Sequence, residues 1–345
     1  MLDKLEDSPD SQEGPRMRIT QTDVARMAGV SRQTVSLVVN DDPRVAPSSR
    51  QAVLKAIEKS GYRVNATARS LATASSGVIG MLLPNLNNPF YAVLAQQTRE
   101  ACDAERLGLF IATSDSAREK SAIERFLDFG VDGLLLVSPR HKAHELAALT
   151  RGTPAVILTA SSAPAGIDLV RADDEGGSAL VTGDLMDEGY APVIHICTDI
   201  DMESETASLR QAGYASVVTS RGQDVLTRVV SDQDIVTTVK DIIARYGSGF
   251  GIVAHNDMTA FRVISVLLQA GLTIGQDVGV AGFDNTYLAR FPGTELTSVD
   301  QEAEQLSKLA IRLVLERREG RTDDVEIAVP TKLVKRVSTS RGEVT

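Results

Sequence analysis

The sequence predicts an all-α helix-turn-helix headpiece followed by an α/β core of doubly wound parallel sheets. Three observations lead there. Residues 20–40, TQTDVARMAGVSRQTVSLVVN, read as two short apolar-periodic helices around a glycine turn. From Gly77 onward, short apolar strand-like runs alternate with helical patterns. The charge is also divided. Residues 1–15 hold one Lys and five acids (net −4), residues 16–73 ten Lys or Arg against four acids (net +6), and the remainder 25 against 37 (net −12). A small basic module on a large acidic one points to a polyanion for the first part and a different partner for the second.

At 345 residues and 43% hydrophobic content, the chain suits two or three domains with proper cores. Apolar runs such as those around Ile111 or over 133–137 fall far short of the ~20 residues of a membrane span, so no membrane association is expected. The first fifteen residues are acidic and contain Ser, Pro and Gly, with no apolar core of a secretory signal. A cytoplasmic location follows as an expectation. Cys102 and Cys197 are far apart and without CxxC spacing, which reads as two buried small apolar residues.

In the headpiece, Thr20 with Asp23 three residues on is a capping-box-like start for helix one, which stops at Gly29. Ser31 is placed to cap helix two. Ala25, Ala28, Val30, Val35 and Val38 fall where two crossing helices bury small apolar groups. A third helix is expected from about Ser48 to Ser60, with Val53, Leu54 and Ile57 inward and Gly61 as its stop. Arg32, Gln33, Thr34 and Ser36 then lie on the start and outer face of the second helix, the part such motifs present to the major groove. Arg can pair with guanine and Gln with adenine in bidentate fashion, while Thr or Ser can bond phosphate or touch a thymine methyl. The bland alternative is a generic three-helix bundle with a solvated basic face.

These residues, continuing through YRVNATARSLAT, resemble the DNA-binding headpiece and hinge of the lactose-repressor (LacI/GalR) family of bacterial transcriptional regulators. The resemblance implies base reading by Arg32 and Gln33, with Thr20, Thr22, Ser31, Thr34, Ser36 and Asn40 as further candidate DNA contacts. Leu37 stands where an Arg contact is common, which points to a different half-site. Tyr62, Asn65, Ala68 and Leu71 match the family's hinge, with Val64 in place of the usual Pro. Asn65 and Ala68 are candidate DNA contacts, and Leu71 is the candidate minor-groove wedge. Read alone, NATARSLAT is a weakly helical linker, unstable in isolation and so suited to folding on binding.

The resemblance also implies a core like the periplasmic sugar-binding proteins, with two doubly wound parallel-sheet subdomains. The expected division is an acidic disordered tail over 1–17, a headpiece over 18–63, a hinge over 64–76 and a ligand-binding and dimerisation core over 77–345. Within the core, one half takes 77–171 and 300–330 and the other 172–299 and 331–345. VIGMLL, LGLFIAT, VDGLLLV, PAVILT, PVIHICT, GIVAH and VGVAGF read as its short buried strands. Ligands of such sheets sit beyond the strands' carboxyl ends.

The segments NLNNPFYA, HND and GFDN follow three of these strands, and Arg210 is placed in a turn before Gly213. Carried over from the family, Asn88 bonds a ligand hydroxyl, Phe90 and Tyr91 stack on a ring, and Arg210, Asn256 and Asp284 clamp hydroxyls. Thr206 is a further candidate. Thr159-Ala160-Ser161 replaces an Asp-Arg pair common in relatives, which removes two charged ring contacts. Taken singly, Asn88-Pro89 could be a turn, Asn256 a helix cap and Asp284 a loop ion pair.

No GxxxxGK[ST], GxSxG or HExxH motif occurs, and neither an enzyme nor a cofactor or metal is expected. His141 and His144 read as a solvated helix face and Asp173–Gly177 as an acid-rich helix N-terminus. The implied function is transcriptional regulation, as a repressor in homodimeric form. Its partners are a pseudo-palindromic DNA operator and a sugar-like effector that closes the two core halves and shifts the hinges. The C-terminal KLVKRVSTSRGEVT has no heptads, so a dimer is expected and not a tetramer. A sugar-processing enzyme with an accessory domain and a transport solute-binding protein are the competing readings.

Overall fold

The computed structural model describes residues 19–39, 42–62, 75–115, 117–150, 152–199, 205–231, 233–293 and 295–341. They belong to two compact units, Met1–Ser76 and Gly77–Thr345. The expected acidic tail, Asn40, and Asn65, Ala68 and Leu71 of the expected hinge lie outside the described residues.

The first unit holds α1 (Gln21–Ala28), α2 (Arg32–Val39) and α3 (Pro47–Ser60). The Thr20 hydroxyl accepts from the Asp23 amide while the Asp23 carboxylate accepts from the Thr20 amide, so two otherwise orphaned donors are satisfied where α1 begins. Gly29, at φ 69°, ends α1 in the left-handed region where a side chain would be strained. Ser31 Oγ accepts from the Thr34 amide at 3.0 Å and caps α2. Val24, Ala25, Val35, Val38, Val53, Ala56 and Tyr62 form the core. On α3 the expected inner face is corrected: Val53 and Ala56, three residues apart, point inward, Ile57 is half-buried, and Leu54 is 53% exposed. One residue is about 100° of helical rotation, enough to carry Leu54 off the stripe. Ala28 and Val30 are only half-buried.

In the second unit, one sheet comprises β1 (Val78–Leu83), β2 (Gly108–Thr113), β3 (Gly133–Val137), β4 (Ala155–Leu158), β5 (Asp168–Ala172) and β11 (Glu326–Val329). Its order is β11-β5-β4-β3-β1-β2, all parallel. The other holds β6 (Val193–Thr198), β7 (Thr227–Val230), β8 (Gly251–Ala254), β9 (Gly279–Phe283), β10 (Thr297–Asp300) and β12 (Lys332–Val334), in the order β12-β10-β9-β8-β6-β7. Here β12 runs antiparallel to β10, a departure from the all-parallel expectation. The connecting helices are α4 (Pro89–Ala104), α5 (Glu119–Asp128), α6 (Ala143–Thr150), α7 (Asp174–Asp187), α8 (Glu205–Ser220), α9 (Ile235–Tyr246), α10 (Asp257–Gln269) and α11 (Ala303–Arg318). The chain passes from one sheet to the other after β5, after β10 and between β11 and β12.

Strand alternation explains why helices cover both faces. Ile79, Met81, Leu83, Leu135 and Val137 enter one core, and Leu82, Leu134 and Leu136 enter the core on the opposite face. Strand β2 is different. Among the described residues its one sheet neighbour is β1, and Phe110 and Ile111 are 46% and 48% exposed, so the expectation of a buried strand is corrected at this edge. Strands β5, β7, β10, β11 and β12 carry weaker apolar runs and are additions to the seven expected.

A buried ion cluster fastens the far edge of the first sheet. Asp168, fully buried on β5, accepts from Arg317 Nε at 2.8 Å, Arg321 Nη2 at 2.6 Å and the Val325 amide at 2.9 Å. Burial pushes its carboxyl upward, but these bonds outweigh burial and leave it at about 2, below the ordinary 3.8. The stabilisation is therefore present above pH 3.8 and is lost as pH falls through about 2, and it is worth roughly 2 kcal/mol. Asp168→Asn should lower the unfolding free energy by about 2–4 kcal/mol at neutral pH. Urea melts of the two proteins should converge as pH is lowered toward 2.

Candidate functional site

In the headpiece, Thr20, Thr22, Ser31, Arg32 and Gln33 are exposed and Thr34 and Ser36 half-exposed. Arg32 and Gln33 are the first two residues of α2, where a groove-entering helix carries its base contacts. The hydroxyls of Thr20 and Ser31 already serve as caps, Thr20 Oγ1 bonding Asp23 at 2.7 Å and Ser31 Oγ lying 2.9 Å from Thr34 Oγ1. Their first task is thus to hold the ends of α1 and α2.

Both core sheets have the strand order 2-1-3-4-5 of doubly wound folds, with reversals between β1 and β3 and between β6 and β8. The loops leaving these strands line one cavity of about 250 Å³. Asn88 comes from the loop after β1, Ser138 and Arg140 from that after β3, and Thr198 from the end of β6. His255 and Asn256 follow β8, and Asp284 follows β9. All seven expected effector residues, Asn88, Phe90, Tyr91, Thr206, Arg210, Asn256 and Asp284, line this cavity.

Several of these side chains have a second task. Asn88 Oδ1 caps α4 by accepting from the Phe90 amide at 2.9 Å, and Asn256 Oδ1 caps α10 by accepting from the Thr259 amide at 2.9 Å. Phe90 is 4% exposed and packs into a core, whereas Tyr91 is half-buried, its ring 5.9 Å from that of Phe90. Arg210 corrects the expectation of a turn, since it lies within α8. Gly213 lets α8 touch α7: a Cβ there would stand 2.1 Å from the Glu175 carbonyl.

The floor is a chain of buried charges. Arg210 Nε donates to Asp174 Oδ1 at 2.8 Å, Nη1 donates to the His255 carbonyl at 2.8 Å and lies 4.0 Å from Asp284, and the guanidinium stacks 3.7 Å over Phe283. Asp284 accepts from Gln301 Nε2 at 2.6 Å and, across the cleft, from Asn88 Nδ2 at 3.1 Å. Burial raises the Asp284 carboxyl well above its usual range, against the opposing pull of Arg210. Asp257 holds this loop by accepting from the Thr286 amide at 2.7 Å and Ser298 Oγ at 2.6 Å. Burial, then the Arg210 charge, lowers His255 far below 6.5, so its ring is neutral at pH 7.

Asp174, Gln301, Ser138, Thr198 and His255 belong to this site without having been singled out from the sequence. Asp174 was visible only as an acid at a helix start, and Gln301 carried no local signal. Thr159, expected as a neutral replacement, does line the cavity, with Oγ1 2.7 Å from Ser138 Oγ. Nearby, Ser161 donates through N and Oγ to Glu205 Oε2 at 2.9 and 2.7 Å, a second bridge between the halves. His141 and His144 do not share a helix face, because α6 begins at Ala143; the His141 ring bonds Glu119 instead. Both cysteines are buried and no disulfide joins them. No group of three or more His, Cys, Asp or Glu among the described residues could hold a metal ion, and no helix among them is long and apolar enough to cross a membrane.

Residues 20–65 match the family described as bacterial regulatory proteins, lacI family, and residues 182–339 match a periplasmic binding protein-like domain. Catabolite control protein A of Priestia megaterium is 30% identical over 332 residues, covering 94% of this chain and all of its own. The chain belongs to the lacI family. As a lacI-family protein it is a DNA-binding transcriptional regulator with a small-molecule-binding core. The transcriptional repressor PurR of Photobacterium profundum is 30% identical over 307 residues, or 86% of this chain and 91% of its own. The lac repressor dimer bound to operator and the anti-inducer ONPF has the same fold, with TM-score 0.81 at 22% identity over 93% of this lacI-family chain and 99% of that one. The regulator CelR in complex with cellobiose gives TM-score 0.68 at 26% identity, over 93% and 100% of the two chains.

The geometry makes Arg210 a structural residue as well as one that lines the cavity. Arg210→Met should cost about 3–5 kcal/mol by leaving Asp174 buried without its cation. Adding Asp174→Asn should restore part of that loss in urea melts; simple additivity of the two changes would exclude the coupling.

Proposed function

We propose that this regulator is a repressor that acts as a homodimer on a pseudo-palindromic operator. Its operator affinity is set by a sugar-like effector held between the two core halves, and it catalyses no reaction. The observation that carries the reading is the cavity itself, in which residues from both halves bring planar hydrogen-bonding groups and an aromatic ring together. A sugar offers vicinal hydroxyls and a flat C–H face. Asn88, Asn256, Asp284 and Arg210 suit the first and Tyr91, backed by Phe90, the second, with Thr206 on the wall. The cellobiose bound by CelR supports this class of ligand.

For the operator, Arg32 and Gln33 would read bases, with Thr22, Thr34, Ser36 and Asn40 beside them and Thr20 and Ser31 at the helix starts. Asn65, Ala68 and Leu71 would act from the hinge. The dimeric lac repressor supports a two-fold assembly, and the surface offers a place for it. Edge strands β2 and β7 carry exposed Phe110, Ile111 and Val229, a pattern that invites a second copy.

Arg32→Ala should cost roughly 1–3 kcal/mol at the cognate half-site and relax base preference there, read by binding to a randomised operator pool. A uniform loss over all sequences would remove the base-reading role. Asp284→Asn keeps the side-chain shape at a residue with φ 113°, where Asn is tolerated better than most residues. It should abolish the response of operator affinity to an effector sugar while effector-free affinity stays near wild type. Fluorescence anisotropy with labelled operator measures both, and a variant that responds at the wild-type sugar concentration takes Asp284 out of the site.

A further inference from the structure

Two side-chain bridges across the cleft between the core halves differ in kind. Asn88 to Asp284 lies on the floor, where Asp284 is buried and both residues line the cavity. The other lies outside it. Ser161, three residues beyond β4 in the first half, donates through its amide at 2.9 Å and its hydroxyl at 2.7 Å to Oε2 of Glu205, which opens α8 in the second half. Among the described residues, Ser161 is the one partner of the Glu205 carboxylate. Neither residue is among the described ones that line the cavity, but their neighbours are: Thr159 stands two positions before Ser161, and Thr206 directly follows Glu205. The bridge therefore ties together two strips of cavity wall from opposite halves, and it springs from the segments after β4 and β6, which the floor bridge does not use.

We propose that Ser161 and Glu205 form a latch that holds the two halves in this arrangement when no effector is bound. Its consequence for DNA rests on the reading above that operator affinity follows the arrangement of the halves, and not on what the effector is. One carboxylate oxygen accepts two charge-assisted bonds, and one of the donors is a backbone amide whose position the chain fixes. Glu205 is exposed and Ser161 half-buried, so opening the latch returns both groups to water. Parting Asn88 from Asp284, by contrast, leaves a buried carboxylate with one partner fewer. The latch is thus the bridge that opens and closes at small cost, and it sets the share of effector-free molecules that hold this arrangement. A ligand that seats between Thr159 and Thr206 meets walls already drawn together, so less of its interaction energy is lost in ordering them.

The test measures distances between spin labels in the full-length, effector-free protein. The labels are carried by A148C on α6 and A244C on α9, exposed alanines in opposite halves, while Cys102 and Cys197 are buried. Labelled chains are diluted into an excess of unlabelled protein, so that the pair read lies within one chain. E205A removes both bonds and should raise the ratio of the longer-distance to the shorter-distance population about fivefold, whereas S161A removes the hydroxyl bond, keeps the amide one and should raise it about twofold. In the E205A background S161A should have no further effect, a coupling that a general loosening of α8 does not produce. Distances that E205A leaves unchanged, or an S161A effect equal with and without Glu205, overturn the latch. Operator affinity of the same variants, measured by anisotropy on a duplex that the wild type selects from a randomised pool, should change along with the distance populations. If the distances shift and operator affinity does not, the latch stands and the reading that couples the halves to the operator falls.

Discussion

The guanidinium of Arg210 is the point on which the core's polar interior depends. Its polar contacts come from three separate stretches of chain: hydrogen bonds to Asp174 at the start of α7 and to the His255 carbonyl just after β8, and a longer 4.0 Å approach to Asp284 beyond β9. Phe283 supplies the flat face beneath it. A buried cation is tolerable only when it is well paired, and here Nε donates to a carboxylate, Nη1 to a backbone carbonyl, and the guanidinium plane lies over a ring. Asp284 then passes the constraint on, because its other bonds go to Gln301 in a crossover segment and to Asn88 in the opposite half. Two lobes that share no strand are thereby joined by a run of polar contacts through the floor of the cleft.

That run exists because of topology. Each sheet places its first strand centrally and sends the chain to opposite sides of it, so the loops after β1 and β3, and after β6 and β8, diverge and leave a crevice. The crevices of the two sheets contribute to one cavity. Helices α4 and α10 start there, each capped by an Asn whose carbonyl oxygen is committed to the helix, which leaves its amide group for other partners. The same residue thus fixes a helix end and presents a donor at the cleft.

What the sequence discloses follows the range of the interaction concerned. The headpiece was legible almost completely, since Thr20 with Asp23, Gly29, Ser31 and Gly61 act on neighbours within four residues. Leu54 was misplaced because its neighbours on α3 are set by α1, a tertiary choice. In the core, strands buried on both faces announced themselves as apolar runs, but edge strand β2 looks the same in sequence and differs in having one strand neighbour, not two, among the described residues. The resemblance led to the seven cavity residues, yet Asp174 and Gln301, without which Arg210 and Asp284 would be incompletely paired, lie 36 positions from one partner and 17 from the other. No local pattern marks such a pair.

The cross-cleft bonds also set the terms on which a ligand can act. Asn88 to Asp284 and Ser161 to Glu205 already join the halves through the chain's own groups. An effector that merely took over the Asn88–Asp284 bond, one for one, would bind without favouring either arrangement, because only a difference in affinity between two conformations moves their populations. To shift the equilibrium the ligand must add bonds that exist in one arrangement alone, or break a bridge that the other arrangement retains. Each neutral bond gained or lost is worth about 1 kcal/mol and each charged one about 1.5–3, so one or two such differences supply the 1–3 kcal/mol typical of coupling between sites. By reciprocity the operator must change effector affinity by the same factor that the effector changes operator affinity. The groups positioned to make that difference are those contributed by opposite halves, whereas Asp174 and His255 are buried within a single half and bond Arg210 there.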